Sequence, residues 1–250
     1  MKKILFSLGF LGVTFIAIIL FLSLHLAPVA APKISGSQAK SDNPAVKVFN
    51  KSELSNTDPA SIWVVVNKKH PLSPKDYVPA DLVFPNIPLR VPGNESMQVR
   101  RETASALEAM FAAAKEEDLS LMLSSGYRSY KYQVNLYNGY VQSQGQAVAD
   151  TQSARPGFSE HQTGLAADIE PASRKCEVED CFAETPEGQW LKTNAYKYGF
   201  ILRYQNDDQS VTGYKGESWH YRYVGLKLSN ELMRASVTTL EAFFGVPGGD

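Results

Sequence analysis

The amino-acid sequence predicts a domain of mixed helices and strands that follows a membrane-spanning segment. An apolar run at residues 4–26 is long enough to cross a bilayer. Apolar residues recur at helical spacing between residues 97 and 117, and short runs rich in β-branched and aromatic side chains predict strands. With 250 residues, of which 44% are hydrophobic, the chain can hold a membrane segment, a linker and one core-forming domain.

The charge balance excludes one class of partner. The formal net charge is -1 at pH 7, with 25 Lys and Arg residues against 26 Asp and Glu residues. Domains that bind nucleic acid carry an excess of basic residues on one face. The sequence therefore predicts no nucleic-acid partner.

The N-terminal segment predicts an exported domain. Residues 4–26 contain no Asp, Glu, Lys or Arg, and the two lysines before them favour an N-terminus in the cytoplasm. We expect a single-pass anchor in the cell membrane, with the domain on the extracytoplasmic side. A cleaved signal peptide is the alternative, and cleavage after residue 31 would give a secreted protein. Residues 27–58 are rich in Ala, Pro, Ser, Asn and Lys and predict a flexible linker, so the folded domain is expected at residues 59–250.

The first part of the domain predicts a strand, an irregular segment, a helix and a second strand. Ile62 to Val66 is a β-branched and aromatic run typical of a strand. Prolines interrupt residues 71–93 too often for either a helix or a sheet. Met97 to Glu117 has the apolar spacing of an amphipathic helix, and Leu119 to Leu123 predicts a strand that ends in a turn at Ser125-Gly126.

The second part predicts further helices and three strands. One helix begins near Ser129 and weakens at Gly145, after which a short helix continues. Thr185, with proline and glutamate after it, has the pattern of a helix start, and Gly199 ends that helix. The remaining elements are strands at residues 165–169, 200–204 and 219–224 and a closing helix at residues 226–244.

Two stretches, residues 153–170 and 216–225, concentrate side chains typical of a catalytic zinc site. They hold two of the four histidines of the chain. Catalytic zinc keeps three protein ligands with nitrogen or oxygen donors and leaves one position open. His161, Asp168 and His220 can supply such a set for one zinc ion.

The spacing of these residues constrains the backbone. In a single helix, His161 and Asp168 would lie about 10 Å apart, too far to share an ion. A turn must fold the segment back, and Thr163-Gly164 is the natural position because glycine accepts a positive φ. The apolar run at residues 165–169 then predicts a short buried strand that carries Asp168 to the metal.

Glu217 is predicted to act as a general base rather than as a ligand. On a straight strand, Glu217 and His220 would point to opposite faces because they are three residues apart. A bend between Gly216 and Trp219 would bring both to the same ion. A carboxylate held there can take a proton from the attacking water and pass it to the leaving amine.

Arg128 directly follows a predicted strand and turn, and two roles remain open for it. Its planar guanidinium can bind the carboxylate of a substrate, or it can form a structural salt bridge. The arginines at positions 155, 203 and 222 are expected to be solvated or to take part in packing. A secondary role in substrate binding stays open for Arg155, which lies closest to the metal segment. His70 lies among prolines with no acidic or histidine neighbour, so we expect it to have a surface or packing role.

Cys176 and Cys181 predict a local disulfide in an acidic loop between the two site stretches. Four residues separate them, and the predicted compartment is oxidising. A second metal site would need more histidine or cysteine than this loop contains.

Three motifs in order carry a resemblance to a known family. SGYRSYKYQ, SEHQTGLAADI and ESWHYRYVG resemble the motifs of the VanY-like D-alanyl-D-alanine carboxypeptidases. This group of zinc peptidases also includes D-Ala-D-Ala dipeptidases and L-alanyl-D-glutamate endopeptidases. The segment NKKHPLSPKDYVPADLV resembles the N-terminal signature of the VanY branch, so the resemblance spans about residues 60 to 240.

The resemblance implies a fold and a role for each candidate residue. The implied fold is a compact α+β domain, with a small, mainly antiparallel sheet that holds the metal in a groove. The implied roles are zinc ligand for His161, Asp168 and His220, catalytic base for Glu217, contact with the terminal carboxylate of the substrate for Arg128, and polar substrate contact for Gln133 and Ser159.

Together with export, the resemblance implies an enzyme that removes the terminal D-alanine from peptidoglycan stem peptides. An L,D-carboxypeptidase or a peptidoglycan endopeptidase of the same fold is the first alternative. A non-catalytic wall-binding module is the second, although a module that only binds has no need for Glu217 beside an open metal position. Nothing in the sequence requires more than a monomer.

Overall fold

The computed structural model describes residues 48–249. The predicted anchor at residues 4–26 and the part of the predicted linker at residues 27–47 lie outside the described residues. Within the described range, no helix combines the length and the apolar character that crossing a membrane requires.

The described chain contains six strands and seven α-helices. The strands are β1 (Leu82–Val83), β2 (Val99–Arg100), β3 (Leu121–Ser125), β4 (Ala166–Pro171), β5 (Phe200–Tyr204) and β6 (Glu217–Tyr223). The helices are α1 (Arg101–Glu116), α2 (Tyr130–Gln144), α3 (Gln146–Gln152), α4 (Pro186–Asn194), α5 (Gln209–Thr212), α6 (Gly225–Ala235) and α7 (Leu240–Phe244).

Four strands form one sheet in the order β3-β4-β6-β5, and every pairing in it is antiparallel. The short strands β1 and β2 form a separate antiparallel pair. These findings confirm an α+β domain with a small, mainly antiparallel sheet. Strand β4 lies inside the sheet, so its residues have neighbours on both sides.

The two faces of the four-stranded sheet differ in polarity. Successive side chains on a strand point to opposite faces. Ala167 and Ile169 of β4 belong to the main hydrophobic core, so Asp168 between them points to the other face. Asp168 pairs directly with His220 of β6, and opposite residues share a face. The sheet register therefore places these two side chains next to each other, away from the core.

Helix α1 covers the apolar face of the sheet. Leu107, Met110 and Ala114 follow one another at helical spacing and are completely buried in the same cluster as Leu123 of β3. Burying one leucine or methionine side chain of this kind contributes about 1.5–3 kcal/mol. The predicted helix is confirmed, and it begins at Arg101 because the two residues before it form β2.

Local signals in the sequence are confirmed at several helix ends. The Ser129 side chain accepts a hydrogen bond from the N–H of Tyr132 at the start of α2. Thr185 caps α4 in the same way by accepting from the N–H of Gly188. Gly145, at the end of α2, has a φ of 82°, in the region that favours glycine.

Residues 62–66 do not form a strand, contrary to the prediction. Their side chains enter the two hydrophobic clusters alternately, so this segment is buried on both sides. The carbonyl oxygens of Ile62 and Val64 accept hydrogen bonds from the Arg222 guanidinium at 3.1 and 2.7 Å. A charged side chain therefore takes the place that a neighbouring strand would have.

Residues 48–58, which the sequence assigned to the linker, pack against the domain. The ring of Phe49 lies 5.4 Å from the rings of both Trp63 and Phe243. Lys51 donates a hydrogen bond to the carbonyl oxygen of Phe243. The stretch is mostly polar, but the aromatic ring of Phe49 packs against rings of the domain. Contacts with the domain therefore begin before residue 59.

The closing segment contains two helices instead of the single predicted one. Helix α6 ends at Ala235, where Ser236 adopts a positive φ of 53°. The side chain of Thr239 then accepts a hydrogen bond from the N–H of Ala242 and starts α7. The apolar spacing continues through this segment and therefore predicted one helix, but the cap at Thr239 starts a second one.

Candidate active site

His161 lies in a tight turn that leads into β4. Residues Glu160–Thr163 form one turn of 3-10 helix, and Gly164 follows with a φ of 66°. A Cβ atom on Gly164 would lie 2.9 Å from the side chain of Leu82 and 3.2 Å from the backbone nitrogen of Arg100. Glycine is therefore needed here for conformation and for space, which confirms the predicted turn at Thr163-Gly164.

The three predicted metal ligands come together. Nε2 of His161 lies 3.3 Å from Oδ2 of Asp168, and Nδ1 of His220 lies 3.2 Å from Oδ1 of the same carboxylate. One candidate ligand atom from each of the three residues lies within 4.8 Å of the other two. All three side chains are buried.

Hydrogen bonds distinguish the two nitrogens on each histidine ring. Nδ1 of His161 lies 2.6 Å from the carbonyl oxygen of Gly126, to which it donates, so Nε2 is left for a metal. His220 is arranged the other way round, because its Nε2 lies 3.4 Å from Oε2 of Glu160. Its Nδ1 therefore faces Asp168.

This group of donors fits a zinc ion. Two imidazoles and one carboxylate match a zinc set that leaves one position open. Oδ1 of Asp168 is buried and has no hydrogen bond of good geometry, although buried carboxylate oxygens normally have partners. A cation bound among the three side chains would satisfy this atom.

The buried site shifts the pKa values of the two histidines in opposite directions. Burial and the positive charge of Arg128 lower the pKa of His161 to about 4. Burial alone would also lower the pKa of His220, but the carboxylates of Asp168 and Glu160 raise it to about 9. His161 is therefore neutral at pH 7, and the carboxylates favour positive charge at His220.

Glu217 lies beside His220, with Oε2 3.6 Å from Nδ1. The pairing between β5 and β6 is irregular here, since Leu202 pairs with Tyr221 whereas Tyr204 pairs with Glu217. The irregularity agrees with the predicted bend between Gly216 and Trp219. Burial raises the pKa of Glu217 to about 7, with the Asp168 carboxylate acting in the same direction and His220 opposing it.

Arg128 forms an ion pair inside the site. Its Nη2 donates to Oδ2 of Asp168 at 2.6 Å, and its Nε donates to Oγ of Ser125 at 3.0 Å. The side chain is 22% exposed and lines the cavity next to the metal ligands. Of the two roles left open by the sequence, the structural salt bridge is present.

Gln133 and Ser159 line the same cavity, which has a volume of about 840 Å³. Nε2 of Gln133 donates to Oγ of Ser153 at 3.0 Å and to the carbonyl oxygen of Ala154 at 2.7 Å. Its Oε1 is buried without a partner. Ser159 is buried and its side chain does not cap the turn that follows it.

Cys176 and Cys181 form a disulfide in the structure, as predicted. The loop that the disulfide closes reaches the cavity, because Val178 and Asp180 line one side of it. His70 contacts Oδ1 of Asn67 through its ring at 3.1 Å and is not among the residues that line the cavity.

The charged side chains behind His220 were not predicted as part of the site. Glu160 is buried and bonded to Arg203 and Arg222, so these arginines form buried ion pairs and are not solvated. Burial raises the pKa of Glu160, but the two guanidinium groups outweigh burial and hold the pKa well below its usual range. The available signal was one acidic residue directly before His161, with no other Asp, Glu, Lys or Arg between it and Asp168.

These features define a class of protein. An α+β domain that brings His, Asp and His together beside a glutamate, at the edge of an open cavity, has the site of a zinc peptidase. The sequence model of the VanY family, D-alanyl-D-alanine carboxypeptidase, matches residues 96–226. The chain belongs to this family, and it is an enzyme of the VanY carboxypeptidase group.

Similar proteins include both D,D- and L,D-enzymes. The putative carboxypeptidase YodJ of Bacillus subtilis is 42% identical over 190 residues, which are 75% of this chain and 68% of that protein. The structure of the LdcB LD-carboxypeptidase has a TM-score of 0.71 and 40% identity, and covers 77% of this chain and 89% of that one. The structure of a mutant of the vancomycin resistance D,D-pentapeptidase VanY, in complex with Zn(II), has a TM-score of 0.59 and 30% identity. The match covers 73% of this chain and 98% of that one.

Proposed function

We propose that this protein is a zinc-dependent carboxypeptidase that removes the C-terminal D-alanine from peptidoglycan stem peptides. The observation that carries the proposal is the convergence of His161, Asp168 and His220 beside Glu217 in an open cavity. One zinc ion held by these three residues would act as a Lewis acid on the scissile carbonyl and activate water at neutral pH.

Glu217 is the general base in this proposal. Its carboxyl group adjoins the metal ligands, and its raised pKa of about 7 suits a group that must both accept and return a proton near neutrality. It takes a proton from the attacking water and gives it to the leaving amine. Burial raises the pKa of the other carboxylate of the site, Asp168, but the charged groups around it, which include the Arg128 guanidinium, outweigh burial and hold the pKa well below its usual range.

Arg128 and Gln133 position the substrate. Nη1 of Arg128 has no acceptor among the described residues, and the side chain lines the cavity, so it can bind the terminal carboxylate of a peptide. The free Oε1 of Gln133 can accept a hydrogen bond from a peptide N–H. Ser159 adds a hydroxyl group on the same cavity wall. Binding of the chain end would align only the last peptide bond with the metal.

L,D-carboxypeptidase activity is the second candidate. The LdcB LD-carboxypeptidase structure has a higher TM-score and identity to this chain than the VanY structure with Zn(II). Such an enzyme would remove D-alanine from a tetrapeptide stem that has already been shortened. An endopeptidase of the same fold would cut inside the stem.

Defined muropeptides distinguish these activities. Purified protein is incubated with pentapeptide and tetrapeptide stems, with and without a chelator, and the products are weighed by mass spectrometry. Conversion of pentapeptide to tetrapeptide supports the D,D-activity, and conversion of tetrapeptide to tripeptide supports the L,D-activity. A zinc-loaded protein that cleaves neither stem contradicts the proposal.

The proposed substrate requires an extracytoplasmic location. Residues 4–26 would act as the anchor that keeps the domain outside the cytoplasmic membrane. Cell fractionation tests this, because recovery of the protein in the cytoplasmic fraction would contradict it.

A further inference from the structure

A cluster of four buried charged side chains lies behind His220. Glu160, Arg203, Arg222 and Glu241 are each no more than 2% exposed. Two positive and two negative charges balance within the cluster. Moving such groups out of water costs several kcal/mol per ion, and well-packed apolar side chains often stabilise a core as well. Stability alone therefore does not account for these four residues.

The two carboxylate oxygens of Glu160 have different partners. Oε1 accepts from Nε of Arg203 at 2.9 Å and from Nη1 of Arg222 at 2.8 Å. Oε2 faces Nε2 of His220 at 3.4 Å. The arginines therefore fix the carboxylate in an orientation that leaves one oxygen for the histidine ring.

The arginines are themselves held by distant parts of the chain. Arg203 makes two hydrogen bonds to Glu241 of α7, at 2.9 and 2.7 Å. Arg222 donates to the carbonyl oxygens of Ile62 and Val64. Glu160 therefore cannot turn away from His220 without breaking bonds to groups that are fixed on two sides.

We propose that Glu160 is a positioning residue for the metal site, and that Arg203 and Arg222 hold it in place. By accepting the Nε2 proton of His220, Glu160 keeps Nδ1 as the only ring nitrogen that can bind the ion and sets the orientation of the ring. The proposal rests on the zinc site of the proposed function. His161 needs no such carboxylate, since the carbonyl oxygen of Gly126 orients its ring.

A carboxylate-to-amide change tests this role because a carboxylate accepts hydrogen bonds on both oxygens, whereas an amide replaces one of these acceptors by an NH2 donor. In Glu160→Gln, the arginine donors require the amide oxygen, so the NH2 group would face Nε2 of His220. Two donors would then oppose each other, and the ring is driven to place its proton on Nδ1, the ligand atom. Loss of such an outer partner lowers metal affinity by about 10–100-fold.

Glu241→Gln is the matched control. It removes one buried carboxylate from the same cluster and leaves Arg203 with a weaker partner, but Glu241 has no contact with His220. Zinc affinity of the full chain is measured by competition with a chromophoric chelator, and stability by thermal unfolding. We expect both variants to melt at lower temperature and only Glu160→Gln to lose zinc affinity. Unchanged affinity in Glu160→Gln, or equal losses in both variants, would overturn the proposal.

A measurement on the unaltered chain covers the case in which Glu160→Gln does not fold. The chain has four histidines, so ¹⁵N labelling of histidine gives a simple spectrum. With zinc bound, we expect the His220 ring to carry its proton on Nε2 and to bind through Nδ1. Binding through Nε2 would overturn the role of Glu160. A chain that binds no zinc at all would instead contradict the proposed function.

Discussion

At the scale of single residues, Glu217 is the group on which the proposed chemistry depends most. Glu217 lies next to His220, forms no ion pair with an arginine among the described residues, and is not one of the three candidate ligands. Glu217→Gln keeps the size of the side chain but cannot accept a proton. General acid–base catalysis contributes about 10²–10⁴-fold. We therefore expect release of D-alanine to fall by at least about 100-fold while zinc affinity stays within about twofold.

The measurement for Glu217 combines an enzymatic assay for D-alanine with zinc analysis of the purified protein. Glu231→Gln is a suitable control, because Glu231 pairs with Arg234 on the outer face of α6. Near-normal turnover by zinc-loaded Glu217→Gln would rule out the assignment of the base.

Arg128 is the residue that, in the proposed function, binds the terminal carboxylate of the substrate. Truncating one member of a buried hydrogen-bonded charge pair costs about 2–5 kcal/mol, so we expect Arg128→Ala to lower kcat/KM roughly 30-fold or more. The Ala variant should also lose the preference for a free over an amidated C-terminus, which a purely structural ion pair with Asp168 would not control. Rates on the two peptides, with zinc content measured in parallel, test this. A preserved preference would indicate an enzyme that does not recognise the chain end.

The cluster of candidate metal ligands could be predicted from the sequence, whereas the contacts of Glu160 could not. Histidine occurs only four times in the chain, and two of the four lie in these short stretches. The turn at Thr163-Gly164 brings His161 to Asp168, and the pairing of β4 with β6 brings His220 to the same carboxylate. Glu160 is equally close in the sequence, but an isolated acidic residue usually indicates a solvated surface. Its role depends on Arg203 and Arg222, which lie about 40 and 60 positions away along the chain.

At the scale of elements, prediction succeeded where the signal is local and failed where a distant group replaces the expected partner. Helix α1 and strand β4 follow the apolar spacing closely. Residues 62–66 have the composition of a strand, yet their carbonyl groups bond to Arg222 from β6. Composition cannot distinguish a segment that bonds to a neighbouring strand from one that bonds to an arginine side chain, because the same apolar side chains are buried in both cases.

The turn before β4 is the element that sets the distance between His161 and Asp168. In Gly164→Ala, the new Cβ would meet Leu82 and the backbone of Arg100, and alanine disfavours the positive φ by about 1–2 kcal/mol. We expect a loss of about 1–3 kcal/mol in the free energy of unfolding, together with weaker zinc binding.

Gly139→Ala is the matched control for the turn. Gly139 lies inside α2, and a Cβ atom there would have no atom within 4 Å. Replacing a glycine in a helix by alanine contributes about 0.5–1 kcal/mol. Denaturant unfolding should therefore show a lower free energy of unfolding for Gly164→Ala and a higher one for Gly139→Ala. An unchanged free energy of unfolding in Gly164→Ala would mean that the turn has room to relax.

At the scale of the whole molecule, the candidate metal site joins segments that are distant in the sequence. The turn before β4, β4 itself and β6 contribute one candidate ligand each, and Glu160 links them to α7 through Arg203 and Glu241. An unfolded chain cannot hold these three ligands together. Zinc binding should therefore favour the folded domain as a unit.

This coupling predicts a large effect of zinc on thermal unfolding. A ligand that binds only the native state, at 1,000 times its Kd, stabilises it by about 4 kcal/mol. For a domain of this size, each kcal/mol raises Tm by roughly 2–4 °C, so we expect chelation to lower Tm by about 8–16 °C. His161→Ala should abolish the zinc-dependent part of Tm, whereas His70→Ala should keep it, because His70 contacts Asn67 and lies outside the candidate ligand group. Differential scanning calorimetry with and without zinc provides the measurement. An equal zinc shift in His161→Ala would show that the ion binds elsewhere and would contradict the assigned ligands.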